Sequence, residues 1–241
     1  MFRESCMSEE NFDHDNHQWT KEILRERANN KYPKWPNEAM VKLLFGGSSY
    51  LEVPFYPNPS WRVLDVGCGF ANNLVPFADI GCECHGVDLT SEMVAAVQEV
   101  MRDRNYSMAF EVGHNRSLPY PDSHFDLLLS VNTLHYEGSE QNFQAALREF
   151  SRVLKPGGGI YISTVGPDHS IQRRAEVLGD HRYRVRDFGF RTDEEFFFCD
   201  NEGYLENYLT DMFENVETGR VRETLMKLPL DFLVAVGHKP H

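Results

Sequence analysis

A glycine turn at the end of a short apolar run constrains the fold of this chain more than any other feature. Residues 63–71 read VLDVGCGFA, so a strand ends near Val66 and a helix begins shortly after Gly69. Glycine lets a backbone approach a ligand closely, and the free N–H groups at the start of a helix attract negatively charged groups. Any tight strand-to-helix turn can use glycine, so a purely structural role stays open for this motif alone.

Short apolar runs alternate with helical patterns from residue 60 onward, which is typical of βαβ units with a parallel sheet. Strands are expected at 62–66, 83–87, 109–112, 125–131 and 159–164, and helices at 71–80, 91–103 and 140–154. Two further runs, 216–224 and 230–236, predict an antiparallel hairpin at the sheet edge. The pattern as a whole predicts an α/β, Rossmann-like, doubly wound fold with a seven-stranded, mostly parallel sheet.

The remaining segments predict additions to this core within a single domain over 18–241. Residues 1–17 are polar and acidic, as in a flexible, frayed terminus. Apolar spacing from Trp19 and an N-cap at Asn37 predict two helices, the second over 38–45, as an N-terminal cap over 18–58. The cofactor-binding core is then expected over 60–165, a substrate cover with helices at 171–178 and 202–212 over 167–213, and edge strands over 214–241.

Composition excludes several classes of protein. The chain has 24 basic and 37 acidic residues and a formal charge of -13, which argues against nucleic-acid binding. It has no run of about 18 apolar residues and no signal peptide, so we expect a cytoplasmic protein without membrane insertion. Five cysteines are typical of reduced thiols, and Cys82 and Cys84 are interpreted as core residues rather than metal ligands.

A second motif, Gly86-Val87-Asp88-Leu89-Thr90, places a carboxylate at the end of the next strand, 21 residues after Gly67. Nucleotide-binding α/β folds use an acid at this place to accept hydrogen bonds from ribose hydroxyls. Asp88 is alternatively the N-cap of the helix at 91–103, a role that Thr90 also fits. The two motifs together leave a dinucleotide-binding dehydrogenase and a methyltransferase open.

Further motifs follow in order: D-x-G-x-G from Asp65, LPYPD at 118–122 before Phe125-Asp126, Leu134-His135-Tyr136, and LREFSRVLKPGG at 147–158. With them, residues 60–165 resemble the class I S-adenosylmethionine-dependent methyltransferases, especially the small-molecule group that includes the ubiquinone and menaquinone biosynthesis enzymes. The resemblance implies S-adenosylmethionine as cofactor and S-adenosylhomocysteine as product.

The resemblance also implies roles for individual residues. Gly67 and Gly69 would abut the methionine part of the cofactor, and Asp65 would order the turn and the cofactor's ammonium group. Asp88 would hold the ribose and Leu89 would pack on the adenine. Further cofactor contacts are expected at Tyr32, Cys68, Asn73 and Ser130.

Two positions depart from the family pattern. Ala71 replaces a third glycine of the turn, a change that still permits close packing of the helix. Gly113-His114-Asn115 stands where the family usually has G-D-A, whose aspartate accepts a hydrogen bond from the adenine amino group. A neutral His114 imidazole or the Asn115 carbonyl can accept that bond instead, so both are predicted cofactor contacts.

Methyl transfer to a lone pair depends mainly on alignment, and a base is needed only for an acceptor that is protonated at working pH. His135 and Tyr136 are candidates for a base or for positioning the acceptor, with a structural role equally open. His181, Tyr183 and Arg184 are candidate substrate contacts. Arginines at 182, 184, 186 and 191 suit an anionic acceptor, but the acids between them favour a self-neutralising surface, and Phe196–Phe198 is interpreted as packing.

The expected activity is methyl transfer to a small molecule, at O, N or C, with monomer and homodimer both open and no metal. A non-catalytic or regulatory cofactor-binding protein and a protein- or RNA-modifying methyltransferase are the alternatives. Against nucleic acid, Ser130-Val131-Asn132-Thr133 replaces the N-P-P-Y type of tetrapeptide used by base-methylating families. A dehydrogenase is disfavoured because Asn72 stands where G-x-G-x-x-G requires its last glycine.

Overall fold

The computed structural model describes residues 13–47, 51 and 53–241, and its core is a seven-stranded sheet of order β3-β2-β1-β4-β5-β10-β9. The strands of the described residues are β1 (Arg62–Val66), β2 (Glu83–Asp88), β3 (Ala109–Val112), β4 (Phe125–Val131), β5 (Leu154–Val165), β6 (Ala175–Gly179), β7 (Arg182–Val185), β8 (Glu195–Phe197), β9 (Glu214–Leu225) and β10 (Leu228–His238). Strands β1 to β5 run parallel, whereas β10 is antiparallel to both of its neighbours. The predicted fold class is therefore confirmed.

Helices cover both faces of this sheet. They are α1 (Asp13–Ala28), α2 (Glu38–Phe45), α3 (Val75–Asp79), α4 (Ser91–Asp103), α5 (Glu140–Val153) and α6 (Glu202–Thr210). On one face, α2, α3 and α4 pack against Val63, Leu127 and Leu129; on the other, α5 and α6 pack against residues such as Leu64 and Leu128. Because the central strands are buried on both faces, their sequences are continuous apolar runs.

Side-chain caps explain where several of these helices begin. Asn37 Oδ1 accepts from the backbone N–H of Met40 at 2.9 Å, as predicted, and Thr90 Oγ1 accepts from that of Met93 at 3.1 Å. The hydroxyl of Ser139 and the amide oxygen of Asn201 cap α5 and α6 in the same way. Each cap satisfies an amide that the helix itself leaves unpaired.

Most predicted core elements are found with bounds within a few residues, and three differ more. Strand β5 begins at Leu154, not at 159. The helix expected at 71–80 is a 3₁₀ turn, Asn72–Leu74, followed by the short α3. Helix α1 begins at Asp13, so residues 13–17 of the predicted flexible terminus are helical, and residues 1–12 lie outside the described residues.

The helix predicted at 171–178 is wrong. Its apolar spacing fits a helix, but the chain forms a 3₁₀ turn at Gln172–Arg174 and then β6, which pairs antiparallel with β7. Pairing with β7 satisfies the backbone groups of residues 175–179, and local periodicity carries no information about that partner. Strand β8 completes a three-stranded sheet, so the cover after β5 combines a small sheet with helix α6, which was predicted at 202–212.

The predicted edge hairpin is present as β9 and β10. They are joined by Met226 and Lys227, both with positive φ (50° and 71°), which matches the two-residue turn that suits the twist of antiparallel strands. No helix among the described residues is both long and apolar enough to span a bilayer.

Candidate active site

A cavity lies at the carboxyl ends of β1, β2 and β4, where the strand order reverses between β1 and β4. Open α/β sheets bind their ligands in the crevice at this switch point. Its floor consists of residues at the strand ends and the glycine turn, including Val66, Gly67, Asp88 and Val131. Its other walls come from α1, from the loop after β3, from the 3₁₀ turn Leu134–Glu137, and from the cover.

The glycine turn adopts a backbone that only glycine tolerates well. Gly67 and Gly69 have φ of +69° and +52°, and a Cβ on Gly67 would collide with the methyl group of Thr133. The N–H groups of Gly67 and Cys68 both donate to the carbonyl oxygen of Val87, at 2.9 and 3.0 Å. The turn is thus fixed by backbone bonds to β2, and Gly67 faces the cavity while Cys68 and Gly69 do not line it.

Asp88 is buried at the end of β2 and lines the cavity. Its Oδ2 accepts from the N–H of Gly69 at 2.9 Å and its Oδ1 from the N–H of Leu89 at 2.8 Å. Burial raises the pKa of this carboxyl group, and the two backbone N–H groups oppose that rise. Because Thr90 is the N-cap of α4, the capping role considered for Asp88 is excluded. Leu89 lines the cavity beside it.

Asp65 lies in β1 directly before the turn and is fully buried. Asn73 Nδ2 lies 3.5 Å from its Oδ2, and Oδ1 has no hydrogen-bond partner within the described part of the chain. Burial, with a smaller contribution from the charge of Asp88, raises the pKa of Asp65 to about 8. Asn73 also accepts from the N–H of Asn37 at 2.9 Å, so it joins Asp65 to the start of α2. Neither Asp65 nor Asn73 lines the cavity itself.

The loop after β3 brings His114 and Asn115 to the cavity, together with Glu137 from the opposite wall. Asn115 Nδ2 donates to Glu137 Oε1 at 2.8 Å, and no donor among the described residues reaches Asn115 Oδ1. The N–H of Arg116 donates to His114 Nδ1 at 3.2 Å, and burial lowers the pKa of His114 to about 4, so the imidazole is neutral. The acceptor nitrogen of His114, Nδ1, already receives a hydrogen bond from Arg116. Of the two predicted acceptors, Asn115 Oδ1 therefore suits an adenine amino group better than the His114 imidazole.

Glu137 was not predicted as a site residue. Its carboxylate is almost completely buried and forms an ion pair with Arg116 at 2.8 Å. Burial raises its pKa to about 7, and the charge of Arg116 opposes that rise. It follows the Leu134-His135-Tyr136 motif directly, so a search around that motif could have identified it.

The two candidate catalytic residues are separated by the fold. Tyr136 lines the cavity, and its hydroxyl has no hydrogen-bond partner in the described part of the chain. His135 does not line the cavity: it is 3% exposed, packs against Phe196 and Phe198, and lies 3.5 Å from Thr164 Oγ1. Burial lowers its pKa well below 6.5. These contacts favour a packing role for His135, and of the two side chains only that of Tyr136 lines the cavity.

The candidate substrate residues of the cover lie outside the cavity lining. His181 Nδ1 is 3.3 Å from Asp200 Oδ2, and Tyr183 packs against Phe198. Arg184 and Arg182 each form an ion pair of 2.7 Å with Glu195. The self-neutralising interpretation therefore fits these arginines.

Tyr32 and Ser130 also lie outside the lining. Tyr32 packs against Phe70 with ring centres 4.6 Å apart, and the Ser130 hydroxyl is 2.7 Å from that of Thr133. Tyr32 thus contacts a residue next to the glycine turn, and Ser130 contacts Thr133, which lines the cavity.

Several cavity residues besides Glu137 were not among the predicted contacts of the cofactor, Trp19 and Thr133 among them, and Arg191 was named only as one of four arginines that suit an anionic acceptor. Trp19 of α1 faces the glycine turn, with its Cη2 atom 3.9 Å from where a Cβ of Gly69 would lie. Thr133 closes over Gly67, and Arg191 comes from the cover. Trp19 and Arg191 lie far from the core motifs in sequence, so no local pattern links them to the glycine turn.

Comparison with known proteins identifies the class. Residues 63–158 match the family model of the methyltransferase domain. The chain is 30% identical over 128 residues to the uncharacterized methyltransferase YcgJ of Bacillus subtilis, covering 52% of this chain and 48% of that protein. It is 33% identical over 113 residues to norajmaline N-methyltransferase of Rauvolfia serpentina, covering 44% of this chain and 38% of that enzyme.

The fold is also similar to solved structures. A crystal structure of a SAM-dependent methyltransferase from Methanosarcina mazei superposes with a TM-score of 0.63 at 21% identity, over 78% of this chain and 99% of that one. The matches to the two curated relatives span about half or less of their length. Residues 63–158 thus match a methyltransferase domain, and the Methanosarcina mazei protein that shares the fold is described as dependent on S-adenosylmethionine.

The residues present fit that cofactor. Asp65 offers a buried carboxylate oxygen without a partner, close behind the turn, as an ammonium group requires. Asp88 retains unused lone pairs for ribose hydroxyls beyond its two backbone bonds. Asn115 Oδ1, next in sequence to the position of the usual aspartate, is an acceptor of the kind that an adenine amino group requires.

Proposed function

We propose that this chain is an enzyme that transfers the methyl group of S-adenosylmethionine to a small-molecule acceptor. The observation that carries the proposal is the convergence of Gly67, Asp88 and Asn115 on one cavity that also extends to the cover. Gly67 and Asp88 lie at the ends of β1 and β2, and Asn115 lies in the loop that follows β3. The proposed cofactor contacts therefore come from the carboxyl edge of the sheet. In this proposal residues 167–213 form the acceptor side of the site.

The residues around the acceptor favour catalysis by positioning. S-Adenosylmethionine supplies an electrophilic methyl group on a sulfonium sulfur. Burial raises the pKa of Tyr136 to about 12, so its hydroxyl stays protonated at neutral pH and donates or accepts a hydrogen bond rather than acting as a base. Phe196 and Val131 give the cavity apolar lining, which favours exclusion of water once ligands are bound. Alignment of the lone pair with the methyl group then provides much of the rate.

An amine is the acceptor to test first. The name of the Rauvolfia relative specifies nitrogen methylation. An amine that is neutral at working pH presents a lone pair without a general base, which suits a cavity where Tyr136 stays protonated. The described cysteines, Cys68, Cys82, Cys84 and Cys199, are free thiols, which supports a location in the reducing cytoplasm.

Calorimetry and a methylation assay test the proposal together. The purified chain should bind S-adenosylhomocysteine at micromolar levels and should methylate at least one member of an amine, hydroxyl and activated-carbon acceptor library. Cofactor binding without turnover across that library would favour a non-catalytic or regulatory role instead. Turnover on protein or RNA alone would assign it to a modifying enzyme, and absence of cofactor binding would contradict the proposal.

A further inference from the structure

Arg191 lines the cavity, and its side chain comes from the cover. It ends the 3₁₀ turn Gly189–Arg191, which contacts α1. Its guanidinium carbon lies 5.0 Å from the ring centre of Phe190 and 5.8 Å from that of Tyr136. Within the described part of the chain Arg191 forms no ion pair, and its buried Nε has no hydrogen-bond partner.

The neighbouring arginines of the cover are different. Arg182 and Arg184 are paired with Glu195, and Arg186 is paired with Glu176 and Asp193. The side chains of these three arginines do not line the cavity. A guanidinium that lines a cavity without an ion-pair partner is stabilised when a ligand supplies an anionic acceptor.

The charges of the cavity explain which ligand group Arg191 suits. The lining carries four acidic side chains, Asp88, Glu137, Glu194 and Glu195. His114 is neutral because burial lowers its pKa to about 4. Among the described lining residues, Arg191 is therefore the single cation at neutral pH. Acids suit the sulfonium and ammonium groups of the cofactor, but a carboxylate in this cavity requires a cation.

The charge of Arg191 also reaches groups behind the cavity. Burial lowers the pKa of His169 to about 4 and that of His135 well below 6.5, and Arg191 contributes to both shifts. The charge of Arg191 opposes the rise in the pKa of Tyr136, and that of Glu194 adds to the rise. Both charges therefore act at this wall of the cavity.

We propose that Arg191 binds a carboxylate group inside the cavity. The inference rests on the proposed function, because the carboxylate belongs either to the methionine part of the cofactor or to an acidic group of the acceptor. The planar guanidinium of Arg191, which lines the cavity, can donate two parallel hydrogen bonds to a carboxylate.

Two nucleosides distinguish the sources. S-Adenosylhomocysteine carries the amino-acid carboxylate, whereas 5′-methylthioadenosine has the same nucleoside and thioether without the amino-acid part. If Arg191 holds the carboxylate of the cofactor, Arg191→Met weakens S-adenosylhomocysteine binding by about 10- to 100-fold, the loss expected for charge-assisted hydrogen bonds. Binding of 5′-methylthioadenosine then stays unchanged.

If the carboxylate belongs to the acceptor, both nucleosides bind Arg191→Met as they bind the natural chain. Phenylacetate and acetate are then titrated into the chain saturated with S-adenosylhomocysteine. Either acid should bind the natural chain, and that binding should be lost in Arg191→Met.

Arg191→Lys and Arg186→Met serve as controls. Arg191→Lys keeps the charge without the two-pronged geometry, so it should recover part of the lost affinity. Arg186→Met removes an exposed, ion-paired arginine outside the cavity and should bind every probe normally. Thermal unfolding of each variant identifies any that fail to fold, and in that case Arg191→Lys carries the comparison.

The failures of the two proposals differ. Unchanged S-adenosylhomocysteine affinity in Arg191→Met, with no acid binding that depends on Arg191, overturns the carboxylate assignment alone. Equal losses for both nucleosides also overturn it, because a structural role would not discriminate between them. A natural chain that binds neither nucleoside contradicts the proposed function, and the assignment fails with it.

Discussion

Asp88 accepts a hydrogen bond from the glycine turn and also lines the cavity. A substitution at Asp88 can therefore change both stability and cofactor binding, and the two effects must be measured separately. We expect Asp88→Ala to weaken S-adenosylhomocysteine binding by about 1–3 kcal/mol, because it removes acceptors for the ribose hydroxyls. It also leaves the N–H groups of Gly69 and Leu89 without partners and should lower stability. Isothermal titration calorimetry measures the first effect and urea unfolding the second.

Thr90→Ala is the matched control for Asp88. It removes the N-cap of α4 and should cost about 1 kcal/mol of stability while leaving cofactor affinity unchanged. If Asp88→Ala behaved in the same way, losing stability alone, Asp88 would have no role in binding.

Asn115 gives a second test at the residue scale, directed at adenine. We expect Asn115→Ala to weaken binding of S-adenosylhomocysteine by about 1 kcal/mol, since one neutral hydrogen bond is lost. S-Inosylhomocysteine, whose base lacks the amino group, should bind the natural chain more weakly and should show little further loss in the variant. Competition calorimetry with both compounds gives the comparison. Retained preference for adenine in Asn115→Ala would assign recognition to another residue.

The sequence predicts residues of the site only where one local pattern contains them. Gly67 and Asp88 follow directly from strand ends and turn chemistry. Arg191 and Trp19 face the same cavity but depend on packing between segments that are distant in the chain, whereas Glu137 directly follows a predicted motif. His135 shows the reverse: it is adjacent to Tyr136 in a motif, yet the two side chains point to different surroundings.

At the scale of elements, α1 forms one wall of the cavity. Thr20 Oγ1 lies 3.4 Å from Thr90 Oγ1, and Arg27 pairs with Glu99 at 2.7 Å, so α1 is held against α4. Trp19 is thereby placed over the glycine turn. This contact makes α1 part of the site rather than a separate addition.

Tryptophan fluorescence should report this wall. Of the three tryptophans, Trp35 is 84% exposed and Trp61 packs against Phe55, whereas Trp19 lines the cavity. We expect S-adenosylhomocysteine to change the emission of the natural chain and Trp19→Phe to abolish most of that change. Trp35→Phe is the control and should retain it. A full response in Trp19→Phe would mean that α1 does not contact the cofactor.

Elements with strong local signals were predicted well, and those that depend on distant partners were not. Strands β1, β3 and β4 and helices α2 and α4 have the predicted bounds. Their signals are apolar runs between turn residues and side-chain caps. Strand β6 was predicted as a helix because its pairing with β7, which excludes the helix, is not encoded in its own periodicity.

Buried ionisable groups determine how the stability of the whole molecule depends on pH. Burial raises the pKa of Asp65 to about 8, that of Glu137 to about 7, and that of Asp88 as well. These carboxyl groups bind protons more tightly in the folded chain than in the unfolded chain. Each therefore lowers the free energy of unfolding as the pH rises from its unfolded pKa through its folded pKa.

Buried histidines act in the opposite direction over a lower range. The pKa values of His114 and His169 are lowered to about 4, and that of His135 is well below 6.5. The unfolded chain binds more protons at these positions below pH 6.5, so they raise stability as the pH rises towards 6.5. The two effects oppose each other below pH 6.5, and only the carboxyl groups act above it.

We therefore expect the free energy of unfolding of the cofactor-free chain to fall between pH 6.5 and 8, by up to about 1.4 kcal/mol per pH unit for each carboxyl group that titrates fully. Asp65→Asn cannot ionise and should flatten the decline, whereas exposed Asp103→Asn should leave it unchanged. Saturating S-adenosylhomocysteine should also flatten it, because an ammonium group beside Asp65 favours the ionised form. Urea unfolding at several pH values measures all four cases. Stability that stays level over this range, or an undiminished decline in Asp65→Asn, would show that Asp65 ionises without penalty in the folded chain.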